Sequence, residues 1–379
     1  MIIRRVFLDR IARGFRSHPI VTLLGPRQCG KTTLAQDYAG ADTMHSFDLE
    51  KPEDNLALAN PSLVLGALSG LVVLDEVQNR PDILPVLRVL VDRPDNPTRF
   101  LLLGSASPAL VKTVSESLAG RTAYIDMAGF SIAEIGQEHW KTLWLRGGFP
   151  RSFLASGDEA SCDWRRDYLR SLLEHDIPQL GITIPAATLR RFWTMLAHCH
   201  GQIWNQAELA RSMGVAEKTA GNYLDILVGT YMVRVLRPWH ENLGKRLVKS
   251  PKVYLNDSGL AHTLLGIPNE ESLWSHPKVG ATWEGFCLEQ ILARFPDAQP
   301  WFFATQAGAE LDLLLEIDGK RYGFEIKLNE APRLTRSMTV VMADLSLERL
   351  FVVYPGNRSA ELEQRIGTLP IGDLPRLLL

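Results

Sequence analysis

Cysteine is scarce in this sequence. Cys29, Cys162, Cys199 and Cys287 stand far apart with no C-x-x-C pair, which excludes a disulfide framework or structural zinc as an expectation and fits a reducing cytoplasm. Net charge is also nearly absent: 41 Lys and Arg against 43 Asp and Glu leave −2. So balanced a chain has no global basic field, and contact with nucleic acid would need a local basic surface. No apolar run approaches the roughly 20 residues of a membrane span. Met1–Phe7 is followed by Asp9 and Arg10, without the long apolar core of a signal peptide. The expectation is therefore a cytoplasmic protein that does not use a membrane. What is present is ordinary globular composition: 379 residues, 46% hydrophobic, enough for two or three domains.

The most informative stretch is Val21–Thr33, an apolar strand, a glycine-bounded loop and a helix start. Gly25-Pro26-Arg27-Gln28-Cys29-Gly30-Lys31-Thr32 is a complete P-loop, followed by Thr33. Glycines permit backbone angles that let successive N–H groups converge on phosphate oxygens, and the helix points its positive end at the same anion. Lys31 is expected on the β- and γ-phosphates of ATP and the Thr32 hydroxyl on Mg. Cys29 leaves phosphate binding intact, because the loop uses backbone donors there. Upstream, Ile3, Phe7, Ile11 and Phe15 recur every four residues, which predicts an amphipathic helix over 1–18 packed on the core.

Leu71-Val72-Val73-Leu74-Asp75-Glu76 reads as a buried strand ending in two acids at the end where open α/β sheets bind ligands. Asp75 is expected to hold Mg through water and Glu76 to polarise the attacking water. Arg99–Ser107 is a third apolar strand; Ser105 at its end is a candidate to sense the γ-phosphate, and Ser107 reads as the N-cap of a helix over 108–118. That helix ends at Gly120, a C-cap glycine, and Arg121 follows before the strand Tyr124–Met127. Repeating strand–loop–helix units across 20–127 predict a parallel sheet with helices on both faces.

Farther on, Gly147-Gly148-Phe149-Pro150-Arg151 reads as a hinge or linker and 158–185 as helical. Residues 186–229 carry a compact three-helix pattern with helix-turn-helix form, in which Gly214 makes the turn and Thr219–Tyr223 opens the second helix; Tyr231–Arg237 follows as a wing strand. Glu217 near the start of that second helix would repel phosphate. Next come Arg234, Arg237, Lys245, Arg246, Lys249 and Lys252, opposed by Glu241 alone, with Trp239 and His240 between them. This locally basic, aromatic segment is the candidate nucleic-acid surface, with a solvated connecting face as the alternative.

The last part carries a second constellation. Trp283-Glu284-Gly285-Phe286 opens a helix; Glu310–Glu316 and Tyr322–Lys327 flank an Asp318-Gly319 hairpin turn. Strand alternation puts Glu325 and Lys327 on one face, and Glu310 and Asp312 on one face. Asp312 and Glu325, completed by Glu284, are candidate ligands of a second divalent metal, Mg or Mn, with Lys327 beside a water. A polar strand face with a salt bridge is the alternative.

Taken together, these segments resemble a widespread prokaryotic family of AAA+ ATP-binding proteins with a winged-helix segment and a C-terminal domain of unknown function with a PD-(D/E)xK nuclease-like fold. The matching stretches are Gly25–Thr33, Leu74–Gln78, Ser117–Arg121, Asn242–Leu247, Trp283–Phe286 and Gly308–Asp312. The resemblance implies an α/β chain of three parts: a P-loop AAA+ parallel-sheet domain over 1–145, a helical lid and winged helix-turn-helix domain over 146–250, and a nuclease-like domain over 251–379. It implies that Arg121 is an arginine finger reaching a neighbouring subunit's nucleotide, that Arg151 belongs to the lid, and that the protein is a homo-oligomer, a hexameric ring being one such form. The implied function is an ATPase that binds duplex or branched DNA and couples hydrolysis to translocation or remodelling. An ATP-gated, metal-dependent DNA endonuclease and a nucleotide-switched signalling ATPase with protein partners are the alternatives.

Overall fold

A computed structural model describes residues 2–40, 44–105, 114–240 and 246–379. The chain forms two compact units: Met1–Gly129 with Gly229–Tyr231, and Phe130–Val228 with Met232–Leu379.

In the first unit five strands, β1 (Ile20–Gly25), β2 (Met44–Asp48), β3 (Gly70–Asp75), β4 (Thr98–Ser105) and β5 (Thr122–Asp126), lie in the order β2-β3-β4-β1-β5, every pair parallel. The central strands read as continuous apolar runs because both of their faces are covered. Ile20, Leu24, Val72, Leu74, Phe100 and Leu102 pack with the helix Ile83–Val91 on one face. Val21, Leu23, Val73, Leu101 and Leu103 pack on the other with Ile11 and Phe15 of the helix Arg5–Ser17 and Leu34 and Ala35 of the helix Lys31–Ala39. The N-terminal helix can lie this close because Gly14 has no side chain: a Cβ there would stand 2.9 Å from Val21 Cγ2. The parallel sheet with helices on both faces is the architecture that the motif order predicts. Ser107 and most of the helix expected over 108–118 lie outside the described residues; Val114–Ser117 are helical.

The second unit is built on one nine-stranded sheet, ordered β13-β14-β12-β11-β10-β9-β7-β8-β6. Its strands are β6 (Gln202–Ile203), β7 (Val233–Pro238), β8 (Lys252–Leu255), β9 (Pro300–Ala304), β10 (Glu310–Ile317), β11 (Lys320–Ile326), β12 (Arg349–Tyr354), β13 (Glu361–Glu363) and β14 (Ile366–Pro370). The expected boundary at 250 therefore falls inside an antiparallel pair, β7 with β8, and β7 continues the sheet by pairing parallel with β9. An unpaired strand edge exposes backbone donors and acceptors, and joining the two expected domains through that edge satisfies them. The boundary expected at 145 moves as well. Residues 130–145 belong to the second unit, where Phe130, Ile132 and Trp144 are buried and the Ile132 N–H donates to Gln290. Trp144 packs edge-on against Trp274 and Trp283, an aromatic core that periodicity does not reveal.

The helix-turn-helix pattern folds as helix Ala186–His198, β6, helix Gln206–Met213, a left-handed Gly214 at φ 70°, helix Glu217–Gly229, then β7 and β8. Asn205 caps the second helix by accepting from the Glu208 N–H. The helix expected over 158–185 runs as Asp158–Ser171, widens into a π turn over Leu172–Asp176, and ends with Ile177–Gln179. Arg151 is exposed at the start of the short helix Pro150–Phe153.

Candidate functional site

The P-loop lies between β1 and the helix Lys31–Ala39. Its turn needs left-handed backbone at two places, Gly30 at φ 99° and Gln28 at φ 63°. The first is cheap for glycine; the second is an uncommon conformation for a side-chain-bearing residue and marks a constrained loop. Gly25 is required for a different reason: a Cβ there would overlap the carbonyl oxygen of Met127. Lys31 is buried, and its ammonium donates to the carbonyls of Gly25 at 3.1 Å and Pro26 at 2.9 Å. The first N–H groups of the helix have no intrahelical acceptor and face the loop's end. Arg27 pairs with Glu50 at the loop's rim. Cys29 is fully buried, and its thiol points at the Met127 carbonyl.

The groups expected on Mg converge. Thr32 Oγ1 donates to Asp75 Oδ2 at 2.7 Å, joining the helix start to the end of β3. Asp75 is buried, and burial raises its carboxyl above the ordinary range while the Thr32 hydroxyl opposes that rise. A hydroxyl and a carboxylate at that spacing beside a buried lysine fit a Mg-nucleotide, for which the ion would supply charge neutralisation between phosphate oxygens. Glu76 follows in the left-handed region, φ 54°, which turns its side chain away from the strand's alternation. Ser105 Oγ donates to Glu76 Oε2 at 3.1 Å, and Gln78 donates to the same oxygen. The Ser105 N–H in turn donates to Gln78 Oε1 at 3.2 Å. Lys31, Thr32, Asp75, Glu76 and Ser105 are thus gathered at the carboxyl ends of neighbouring strands, as β1–β4 register also requires by setting Gly25 beside Ser105.

Two residues of this neighbourhood escape sequence reasoning. Gln78 bridges the acid and the serine; it closes the family-like stretch Leu74–Gln78, which gives it no role. Arg4 is the other. Its buried guanidinium donates to the Cys29 carbonyl in the P-loop at 3.1 Å, to Ala128 at 3.0 Å and to Gly129 at 2.7 Å. It clasps the loop to the segment that leaves β5, and nothing in a run of N-terminal arginines distinguishes it.

Arg121 lies just before β5, at the amino end of the sheet, with its carbonyl accepting from the Ile20 N–H. Its guanidinium makes a two-point pair with Asp92, 2.8 Å from Nε to Oδ1 and 2.7 Å from the terminal nitrogen to Oδ2. That pair lowers the Asp92 carboxyl below its usual range. Within one chain Arg121 is therefore far from the P-loop strand ends and engaged with a surface acid.

In the second unit the expected acids do come together. Asp312 on β10 and Glu325 on β11 are buried around the start of the β10–β11 pair, and Glu284 on the helix Val279–Arg294 is half-buried beside them. Lys327 Nζ lies 2.7 Å from Glu325 Oε1, so the salt bridge of the polar-strand alternative is formed. Asp312 Oδ2 accepts from the Ile326 N–H at 2.7 Å. Burial first, then the neighbouring Asp312, pushes the Glu284 carboxyl up to about 7 and the Glu325 carboxyl up to about 8. The motif around Glu284 is explained by contacts: Trp283 Nε1 donates to the Lys327 carbonyl, and a Cβ at Gly285 would strike His200.

The basic segment needs correction. Arg234 is held in an ion pair by Glu289, and Lys252 is buried in β8 among acids. Strand alternation turns both cations into the fold, which a count of charges along the sequence does not register. Arg237, Arg246 and Lys249 are exposed, and Lys245 lies outside the described residues, as do Asn242–Gly244 of the family-like motif. No helix among the described residues is long and apolar enough to cross a membrane.

Comparison with known proteins agrees with the first unit's geometry. Residues 17–136 match the model of the AAA domain. Residues 137–271 and 279–374 match two domains of unknown function, DUF8612 and DUF4143. Uncharacterized protein Rv2008c of Mycobacterium tuberculosis and uncharacterized protein Mb2031c of Mycobacterium bovis are each 49% identical over 370 residues, 98% of this chain and 84% of theirs. Among solved structures, the Walker-type ATPase PABY2304 of Pyrococcus abyssi is 13% identical with a TM-score of 0.45, covering 70% of this chain and 96% of that one. The RuvB Holliday junction branch migration motor of Thermotoga maritima is 17% identical with a TM-score of 0.30, covering 62% of this chain and 89% of that one.

Proposed function

The chain belongs to the same family as these two mycobacterial proteins, an AAA domain followed by two domains of unknown function, and we propose that it is a Mg-dependent ATP hydrolase. The observation that supports this most directly is the contact of Thr32 with Asp75 beside Lys31, one residue from a Glu76 held by Ser105 and Gln78. A phosphate grip, a metal seat and a base for water are then within one strand-end cluster, which is what transfer of a phosphoryl group to water requires. Release of phosphate from ATP, measured with Mg and with EDTA, tests it. Lys31→Ala should abolish nucleotide binding or turnover. Turnover at the wild-type rate in that variant would sink the assignment.

A DNA partner is the second reading. It is favoured by the helix-turn-helix flanked by the antiparallel β6-β8-β7, β6 before it and β7 and β8 after it, which we read as a winged helix, with exposed Arg190, Arg191, Arg211 and Lys218 on its helices and Arg237 on its wing. Glu217 and Asp225 are exposed on the second helix and oppose it. Affinity for duplex and branched DNA should fall steeply with salt and should weaken uniformly in Arg211→Ala and Lys218→Ala. Absence of salt-dependent binding across that panel would leave a protein partner as the reading, and nicking in the same tubes with Mg or Mn would favour the endonuclease alternative.

A further inference from the structure

Glu284, Asp312 and Glu325 are the residues that the sequence pattern offers as ligands of a divalent metal. A side chain of the protein itself stands among them. Lys252 Nζ lies 2.6 Å from Glu310 Oε1, 3.4 Å from Glu284 Oε1 and 3.9 Å from Asp312 Oδ1. The residue is 5% exposed, so this ammonium has left water for the carboxylates. Its Nζ also lies over the Phe302 ring of β9, 5.5 Å from the ring centroid.

Other groups of the fold also hold the acids. Tyr254, also on β8, donates its hydroxyl to Glu284 Oε1, the Ile326 N–H holds Asp312, and Lys327 holds Glu325. Among the described residues no group of three His, Cys, Asp or Glu is arranged to hold a metal ion. Burial opposes the charge on Lys252, but Glu284, Asp312 and Glu310 outweigh it and hold the ammonium above the usual lysine range.

We infer that Lys252 fills the cation seat of this cluster, so that its carboxylates are paired from within by Lys252 and Lys327 and the second unit carries no hydrolytic metal centre. The ammonium is carried by β8, which lies between β6 and β7 in the sheet, so it belongs to the folded unit itself. A divalent ion would have to displace it and leave a lysine charge buried and unpaired, at a cost that the desolvated site magnifies. The unit's sheet and helices then serve as a binding or scaffolding body, independently of whether the first unit hydrolyses ATP.

The test is a melting titration of the nucleotide-free, full-length protein with Mn²⁺ alone. Wild type and Asp312→Asn should respond alike, with Glu284→Gln replacing the latter if it does not fold. Lys252→Met, which keeps the stem and removes the charge, should gain a Mn²⁺-dependent rise of several degrees by mass action. Lys252→Met combined with Asp312→Asn should lack that gain. A wild-type rise that Asp312→Asn or Glu284→Gln removes would overturn the inference, as would a folded Lys252→Met that gains nothing. If Lys252→Met does not fold, the wild-type comparison decides alone.

Discussion

Ser105 and Glu76, 29 residues apart in sequence, share a hydrogen bond of 3.1 Å between the serine hydroxyl and the acid's Oε2. Gln78 completes the arrangement by donating to that oxygen and accepting from the Ser105 N–H. The acid is thereby aimed by the end of β4, and its left-handed backbone has a reason to persist.

Kinetics should separate the parts of this group. Glu76→Gln is expected to bind ATP and to hydrolyse it roughly 100-fold to 10,000-fold more slowly, the range for loss of a positioned base. Gln78→Ala and Ser105→Ala should lower kcat by about tenfold with little change in KM, because they aim the base without gripping phosphate. Wild-type turnover in Glu76→Gln would show that another group activates the water.

The Arg121–Asp92 pair makes a second expectation specific. If Arg121 acts on a neighbouring subunit, it must leave Asp92 on assembly, so Arg121→Ala should bind ATP and hydrolyse it poorly. Mixing that variant with Lys31→Ala should restore activity where an intact P-loop meets an intact arginine. Asp92→Ala, which releases the arginine, should hydrolyse at least as fast as wild type. No rescue in subunits shown to co-assemble would return Arg121 to its role as an ion-paired surface residue.

Arg4 is predicted to matter for both stability and nucleotide. Arg4→Met leaves the carbonyls of Cys29, Ala128 and Gly129 without their donor. The expected loss is about 3 kcal/mol, read from denaturant unfolding of the first unit. ATP should also bind more weakly, since the loop loses its clasp. Arg4→Lys, with one charged head for three acceptors, should recover only part of both. Unchanged ATP affinity in a destabilised Arg4→Met would confine the residue to folding.

His200 sets an acid limit on the second unit. Burial, with help from Lys278, pushes its pKa down to about 4 from 6.5. Between those values the unfolded chain takes a proton that the fold refuses. Stability from this residue is therefore whole above 6.5 and lost as pH falls towards 4, on the order of 3 kcal/mol. The raised carboxyls of Glu284 and Glu325 act with the opposite sign, their contribution falling as pH rises from about 4.5 towards 7 and 8. The difference between wild type and His200→Asn isolates the histidine, because asparagine keeps an acceptor for the Leu255 N–H while removing the titration. Denaturation midpoints of the two proteins should converge between pH 6.5 and 4; parallel curves would contradict the neutral, buried imidazole.

The nucleotide site is legible in the sequence because its geometry is local. Thirteen contiguous residues, Val21–Thr33, carry the strand, the glycine turn and the helix start. Asp75 and Glu76 are legible because a strand buried on both faces writes itself as an unbroken apolar run that must end somewhere polar. The parallel sheet follows from the repetition of such runs. Arg4 and Gln78 are decided by tertiary structure, since a guanidinium or amide finds its acceptors across distances that no spacing rule encodes. The same holds for the division of the chain: apolar pattern shows that β7, β8 and β9 are strands, but not that their edges join into one sheet. Lys252 is the clearest case. Along the sequence it is one more cation in a basic run; in the fold the alternation of β8 turns it inward, and the carboxylates brought by β10 and the helix Val279–Arg294 make it the counter-charge of a buried acid cluster. Charge is a property of the residue, but its partner is a property of the packing.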